Sequence, residues 1–69
     1  MGSEQVYTAV KSYLEAKYGP VVVEVSRMYD RRDLQEVAGR FRRVDEVNWR
    51  RFTLLIEKDT LKVVGFGMR

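Results

Sequence analysis

Hydrophobic positions along the chain change their period at Gly19-Pro20. Before it, Val6, Val10, Tyr13, Leu14 and Tyr18 recur at steps of three and four, which places them on one stripe of a helix with Lys11, Ser12 and Glu15 turned away. The spacing predicts a helix over residues 4–18. Ser3 is placed to cap the first turn, Glu4 lies at the positive end of the helix dipole, and Gly19 followed by Pro20 ends the helix. After that point the period is two. Residues 21–29 are rich in β-branched side chains, with Val21, Val23 and Val25 on one face and Val22, Glu24 and Ser26 on the other.

Polar, turn-prone clusters separate three further extended segments. Asp30, Arg31, Arg32 and Asp33 precede a strand over 34–44, in which Val37 and Phe41 point the same way and Gly39 between them marks a bulge or sharp bend. Asp45 to Asn48 form the next turn, and residues 49–58 make a long strand with Phe52, Leu54 and Ile56 on one face and Trp49, Arg51, Thr53 and Leu55 on the other. Lys58, Asp59 and Thr60 lead into a last strand over 61–68. No repeat or linker interrupts this order. The expected architecture is a single α+β domain, residues 1–69, with one N-terminal helix packed on a curved four-stranded antiparallel meander in the order α-β-β-β-β.

Composition narrows the chemistry. At 45% hydrophobic and 33% charged, the 69 residues are too apolar for a disordered chain and too charged for a membrane span, and no apolar run reaches the roughly 18 residues that a span needs. The N-terminus carries no signal-peptide pattern, so the expected location is cytoplasmic, without a membrane partner. Absence of Cys and His removes thiolate and imidazole nucleophiles, bases and metal ligands, and no carboxylate pair sits in a pattern that would separate two pKa values. Asp45 with Glu46, and Asp30 with Asp33, belong to turns. Gly65-Phe66-Gly67 is not followed by a helix and is no phosphate loop. The expectation is a non-enzymatic protein with no catalytic residue, metal site or cofactor. A single Asn, high charge and no Cys also suit a thermophilic source.

Gln35, Glu36, Val37, Ala38 and Gly39 read Q-x-V-x-G. With a helix followed by an antiparallel meander, this resembles the cystatin superfamily, whose cysteine-protease inhibitors carry that motif in their first hairpin. The likeness in element order covers residues 4–68. It implies a cystatin-like fold and a wedge entering a papain-like cleft, with Gln35, Val37 and Gly39 as the protease-binding motif. The turn chemistry of Asp30 to Asp33 gives the same residues another place, inside a bent strand, so both a hairpin loop and a strand remain open here.

The net charge of +3 is local: residues 27–51 hold eight Arg against five acids. If Val37, Phe41, Phe52, Leu54 and Ile56 face the helix, alternation turns Arg40, Arg42, Trp49 and Arg51 outward on neighbouring strands. Such a face can stack bases and neutralise phosphates, a candidate surface for single-stranded nucleic acid. It also reads as a solvated face whose Arg residues pair with Glu24, Glu36 and Asp45. Apolar residues on both faces of the last two strands (Leu55 and Trp49 opposite Leu54 and Phe52, with Val64, Phe66 and Met68 opposite Leu61 and Val63) exceed what one helix covers. Either strong curvature hides them or they form an interface. The leading functional expectation is an interaction module that binds a protein partner or forms a homodimer, with nucleic acid second and protease inhibition third.

Overall fold

A computed structural model describes residues 2–68. Helix α1 (Gly2–Tyr18) leads into β1 (Val21–Arg31), β2 (Leu34–Arg43), β3 (Arg50–Glu57) and β4 (Val63–Met68). The strands form one antiparallel sheet in the order β1-β2-β3-β4, an α+β fold with the element order that the period change predicts and compatible with a cystatin-like arrangement. The helix starts two residues earlier than the pattern indicates, so Ser3 lies inside its first turn, and the capping assigned to that side chain falls outside the described residues. Gly19 closes the helix at φ +84°, where a side chain is disfavoured, and its N–H donates to the Glu15 carbonyl oxygen at 2.9 Å.

The core lies between the helix stripe and one face of the sheet. Val6, Val10 and Leu14 are buried against Val21, Val23, Val37, Phe41, Phe52, Leu54 and Ile56. Phe41 joins the two layers: its ring centroid lies 5.2 Å from that of Tyr18 on the helix and 5.9 Å from that of Phe52 on β3. Tilted and edge-on aromatic pairs of this kind add about 0.5–1.5 kcal/mol each to the burial of their area. Among the described residues no buried side-chain nitrogen or oxygen lacks a hydrogen-bond partner, so the core is paid no polar penalty.

Two bulges set the phase of the sheet. Val25 pairs with Gly39 and Arg27 with Ala38, leaving Ser26 as the extra residue of β1. The bend expected at Gly39 is therefore carried by the neighbouring strand, and Gly39 supplies the room: a Cβ there would overlap the Glu24 carbonyl oxygen and approach Val25 Cα to 2.9 Å. The bulge reverses the alternation of β1. Val21, Val23 and Val25 face the helix, and so does Met28, while Arg27 and Tyr29 turn outward. On the other side of the sheet, Leu55 pairs with Gly65 and Ile56 with Val63, which makes Val64 the extra residue of β4. Uniform alternation separates Val63 from Phe66, but the bulge brings both onto the core, where Leu61 joins them. The apolar excess expected on the outer face of β4 shrinks accordingly.

Element ends differ from the pattern where the backbone turns. Arg32 and Asp33 alone connect β1 to β2, so Asp30 and Arg31 extend β1, and Arg32 has φ +38°. Leu61, expected to open the last strand, has φ +59° and donates its N–H to the Glu57 carbonyl oxygen at 2.8 Å, so β4 begins only at Val63. Gln35 to Gly39 lie within β2, and Val37 is fully buried.

Three glycine substitutions test this geometry by urea unfolding. Gly39→Ala is expected to cost about 2–3 kcal/mol, because a backbone oxygen must move to admit the methyl group. Gly19→Ala is expected to cost about 1 kcal/mol through its positive φ. Gly67→Ala, with open space at the Cβ position, is expected to be neutral or stabilising by up to about 1 kcal/mol. Equal effects at Gly39 and Gly67 would contradict the close approach of β1 to Gly39.

Candidate functional site

One helix covers one face of the sheet, and the other face is open. Pairing across the strands arranges its side chains in rows. Glu24 lies opposite Arg40, and Arg40 opposite Arg51. The next row runs Arg27, Ala38, Thr53 and Gly67, and the one after it Tyr29, Glu36, Leu55 and Gly65. The row of small residues forms the floor of an open trough of about 840 Å³. Arg40 and Arg51 stand on one side of it and Arg27 at its β1 end, while the row of Tyr29 and Leu55 lies beyond the floor, outside the trough itself.

The four residues assigned to a basic and aromatic face do come together. Trp49 lies in the connection before β3 rather than at the strand start, and its half-buried ring is stacked by two guanidinium groups. Arg40 Cζ is 4.3 Å and Arg42 Cζ 5.4 Å from the ring centroid. Arg42 is anchored by Nη1, which donates to the Glu46 carbonyl oxygen at 3.0 Å. Arg40 also pairs with Glu24, through Nη2 at 2.7 Å and Nε at 2.8 Å from the same carboxylate oxygen. Two ion pairs leave this face lightly neutralised elsewhere: Glu36 holds Arg31 at 2.8 Å, and Asp45 holds Arg43 at 3.5 Å. The three acids named from the sequence therefore each hold an Arg. Among the described residues, Arg27, Arg42 and Arg51 form no ion pair.

Arg27 and Tyr29 were not legible as site residues under uniform alternation, which turns both toward the helix. The signal that finds them is the apolar step from Val25 to Met28, a spacing of three in a strand. Arg27 Nη1 lies 3.4 Å from Tyr29 Oη as donor, so the two are held together on the outer face.

The Q-x-V-x-G residues belong to a different place. Gln35 and Val37 point to the helix side, with Gln35 Nε2 at 4.0 Å from Met28 Sδ, and Gly39 sits under the β1 bulge. None of the three reaches the hairpin tip, which consists of Arg32 and Asp33. A smaller hollow near Gln5 and Gln35 carries the Lys58–Asp30 ion pair and so presents no uncompensated charge.

Among the described residues no group of three or more carboxylates is arranged to hold a metal ion, and no helix is long and apolar enough to cross a membrane. Comparison with protein-family models, curated proteins and solved structures finds no match to this chain.

The stack on Trp49 is open to a direct check. Arg40→Ala combined with Arg42→Ala uncovers the ring, and the tryptophan emission maximum is expected to move to longer wavelength at a cost of about 1–2 kcal/mol, from two exposed cation–π contacts of about 0.5–1 kcal/mol each. An unchanged emission spectrum would contradict the stack.

Proposed function

We propose that this chain is a small non-enzymatic interaction module whose working surface is the open outer face of the sheet, and that its partner is anionic. The observation that supports this most is the charge of the trough. Arg27, Arg40 and Arg51 border it, and the one acid beside them, Glu24, is already engaged by Arg40. Exposed Arg side chains contribute little to the fold, because surface ion pairs are worth about 0–1 kcal/mol. In a trough floored by small residues Arg27 and Arg51, which form no ion pair among the described residues, are free to meet a ligand that brings the missing negative charge.

Heparin serves as a generic polyanion to test the reading. Wild type is expected to bind heparin at low ionic strength and release it as salt rises, and Arg51→Glu is expected to weaken binding at least tenfold. Retention unaffected by Arg51→Glu would place the anionic contact elsewhere and overturn the assignment to this face.

A second reading, self-association, draws on the edge strand β4. Residues 63–68 carry no charge, Val64 is 50% and Met68 43% exposed, and among the described residues the backbone groups on the outer side of β4 have no strand partner. The opposite edge, β1, carries Glu24, Arg27, Asp30 and Arg31 as well as a bulge, features that discourage edge-to-edge pairing. Sedimentation at micromolar concentration is expected to show a dimer that Val64→Lys converts to monomer. A wild-type monomer at millimolar concentration would exclude pairing through β4. The cystatin-like inhibitor reading has less support, since its motif lies within β2 with Val37 buried.

A further inference from the structure

The outer face of the sheet has two unlike ends, with the trough between them. Along β2, Arg42 and Arg40 are followed by Ala38 and then Glu36, all on the outer face, so the distance from the Arg42–Trp49 stack to the Tyr29 row is six residues, about 20 Å at the rise of an antiparallel strand. Within that length the face carries planar groups and cations together with two acids, Glu24 and Glu36, each already held by an Arg. Trp49 stacked by Arg40 and Arg42 lies at one end, Arg51 and the small-residue floor in the middle, and Tyr29, which is 45% exposed, beside Arg27 at the other. A carboxylate-rich peptide would use the cations and leave the ring faces idle. A duplex would offer phosphates while hiding the base faces within its own stack. A single strand supplies both partners, phosphates for the guanidinium groups and free base faces for tyrosine and for the guanidinium–indole stack.

Resting on the proposal of an anionic partner at this face, we infer that the partner is single-stranded nucleic acid. Its backbone runs along Arg27, Arg51 and Arg40, a base stacks on Tyr29, and a second base extends the Arg–Trp49 stack. The ladder of rows has room for a tract of roughly four nucleotides, the lower end of single-strand site sizes. The floor of Ala38, Thr53 and Gly67 lets the strand approach the sheet with no large side chain in its way. The contacts assigned here are to phosphates and to ring faces, which every nucleotide offers, so binding is tolerant of sequence.

The test is a fluorescence-anisotropy titration of labelled (dT)12, of the same length of duplex, and of poly-glutamate with matched charge, repeated over a range of monovalent salt. Wild type is expected to bind (dT)12 at least tenfold tighter than either competitor, with a slope of log affinity against log salt near −2 for three Arg contacts at about −0.7 each. Tyr29→Ala is expected to weaken (dT)12 binding by roughly fivefold to a hundredfold, the range measured for loss of one stacked base, with the slope unchanged. Tyr29→Phe should retain binding, and Arg51→Ala should flatten the slope by about 0.7. Lys11→Ala, on the helix, should change nothing. Circular dichroism of each variant separates loss of binding from loss of fold. Equal affinity for poly-glutamate and (dT)12 would overturn the nucleic-acid inference while leaving the anionic-partner reading in place. Equal or tighter binding of duplex would overturn the stacking role of Tyr29. Failure of all three probes to bind at low salt would overturn both.

Discussion

The close approach of the β1 backbone to Gly39 is the constraint on which the rest depends. A glycine on β2 allows the bulge at Ser26, and the bulge exchanges the two faces of β1 halfway along its length. Without it, alternation from Val21 would carry Arg27 and Tyr29 into the helix interface. Burying an unpaired guanidinium there would cost several kcal/mol, more than any single contact in this core returns. With it, Met28 takes the inward position and packs against the core beyond Val25. The same local deformation thus completes the core and delivers an Arg and a Tyr to the outer face.

Forces that hold the fold and forces available for binding are separated by the sheet. On the helix side, ten buried apolar side chains and the Tyr18–Phe41–Phe52 aromatic contacts provide the cohesion that a 69-residue chain without disulfides needs. On the outer side, interactions are exposed, polar and individually weak. The Glu24–Arg40 pair, with side chains about half exposed on both partners, contributes at most about 1 kcal/mol. Removing or redirecting it on contact with a ligand costs the fold little. The bulge at Val64 has a complementary effect, since it moves Val63 and Phe66 inward and leaves β4 with a narrow apolar edge in place of a broad apolar face.

Most of the architecture was legible because the hydrophobic period is clean. The helix stripe, the inward sets Val37–Phe41 and Phe52–Leu54–Ile56, and the places of the four connections, though not their end residues, follow from spacing and turn residues alone. Arg40, Arg42, Trp49 and Arg51 also came together as alternation implies. What uniform alternation missed are the phase changes: Ser26 and Val64 each insert one residue, so a strict period of two assigns the wrong face to Arg27, Tyr29 and Val63. The positive φ at Leu61 accompanies its N–H hydrogen bond to the Glu57 carbonyl four residues back, a local turn that single-residue propensity does not report. The Q-x-V-x-G match shows the reverse case. Its residues serve the interior of a strand, Val37 by burial and Gly39 by the absence of a Cβ, and composition alone does not tell that role from a hairpin motif.

The exchange of faces along β1 is the point to measure. The chain has no native Cys, so single Cys substitutions at positions 25 to 29 report side-chain access through their rate of reaction with a water-soluble maleimide. With the bulge in place, Arg27→Cys and Tyr29→Cys should react at rates close to those of the unfolded chain, and Val25→Cys and Met28→Cys at least tenfold more slowly. Fast reaction at position 28 with protection at positions 27 and 29 would mean that β1 alternates without interruption, and would contradict both the packing of the core and the trough that follows from it.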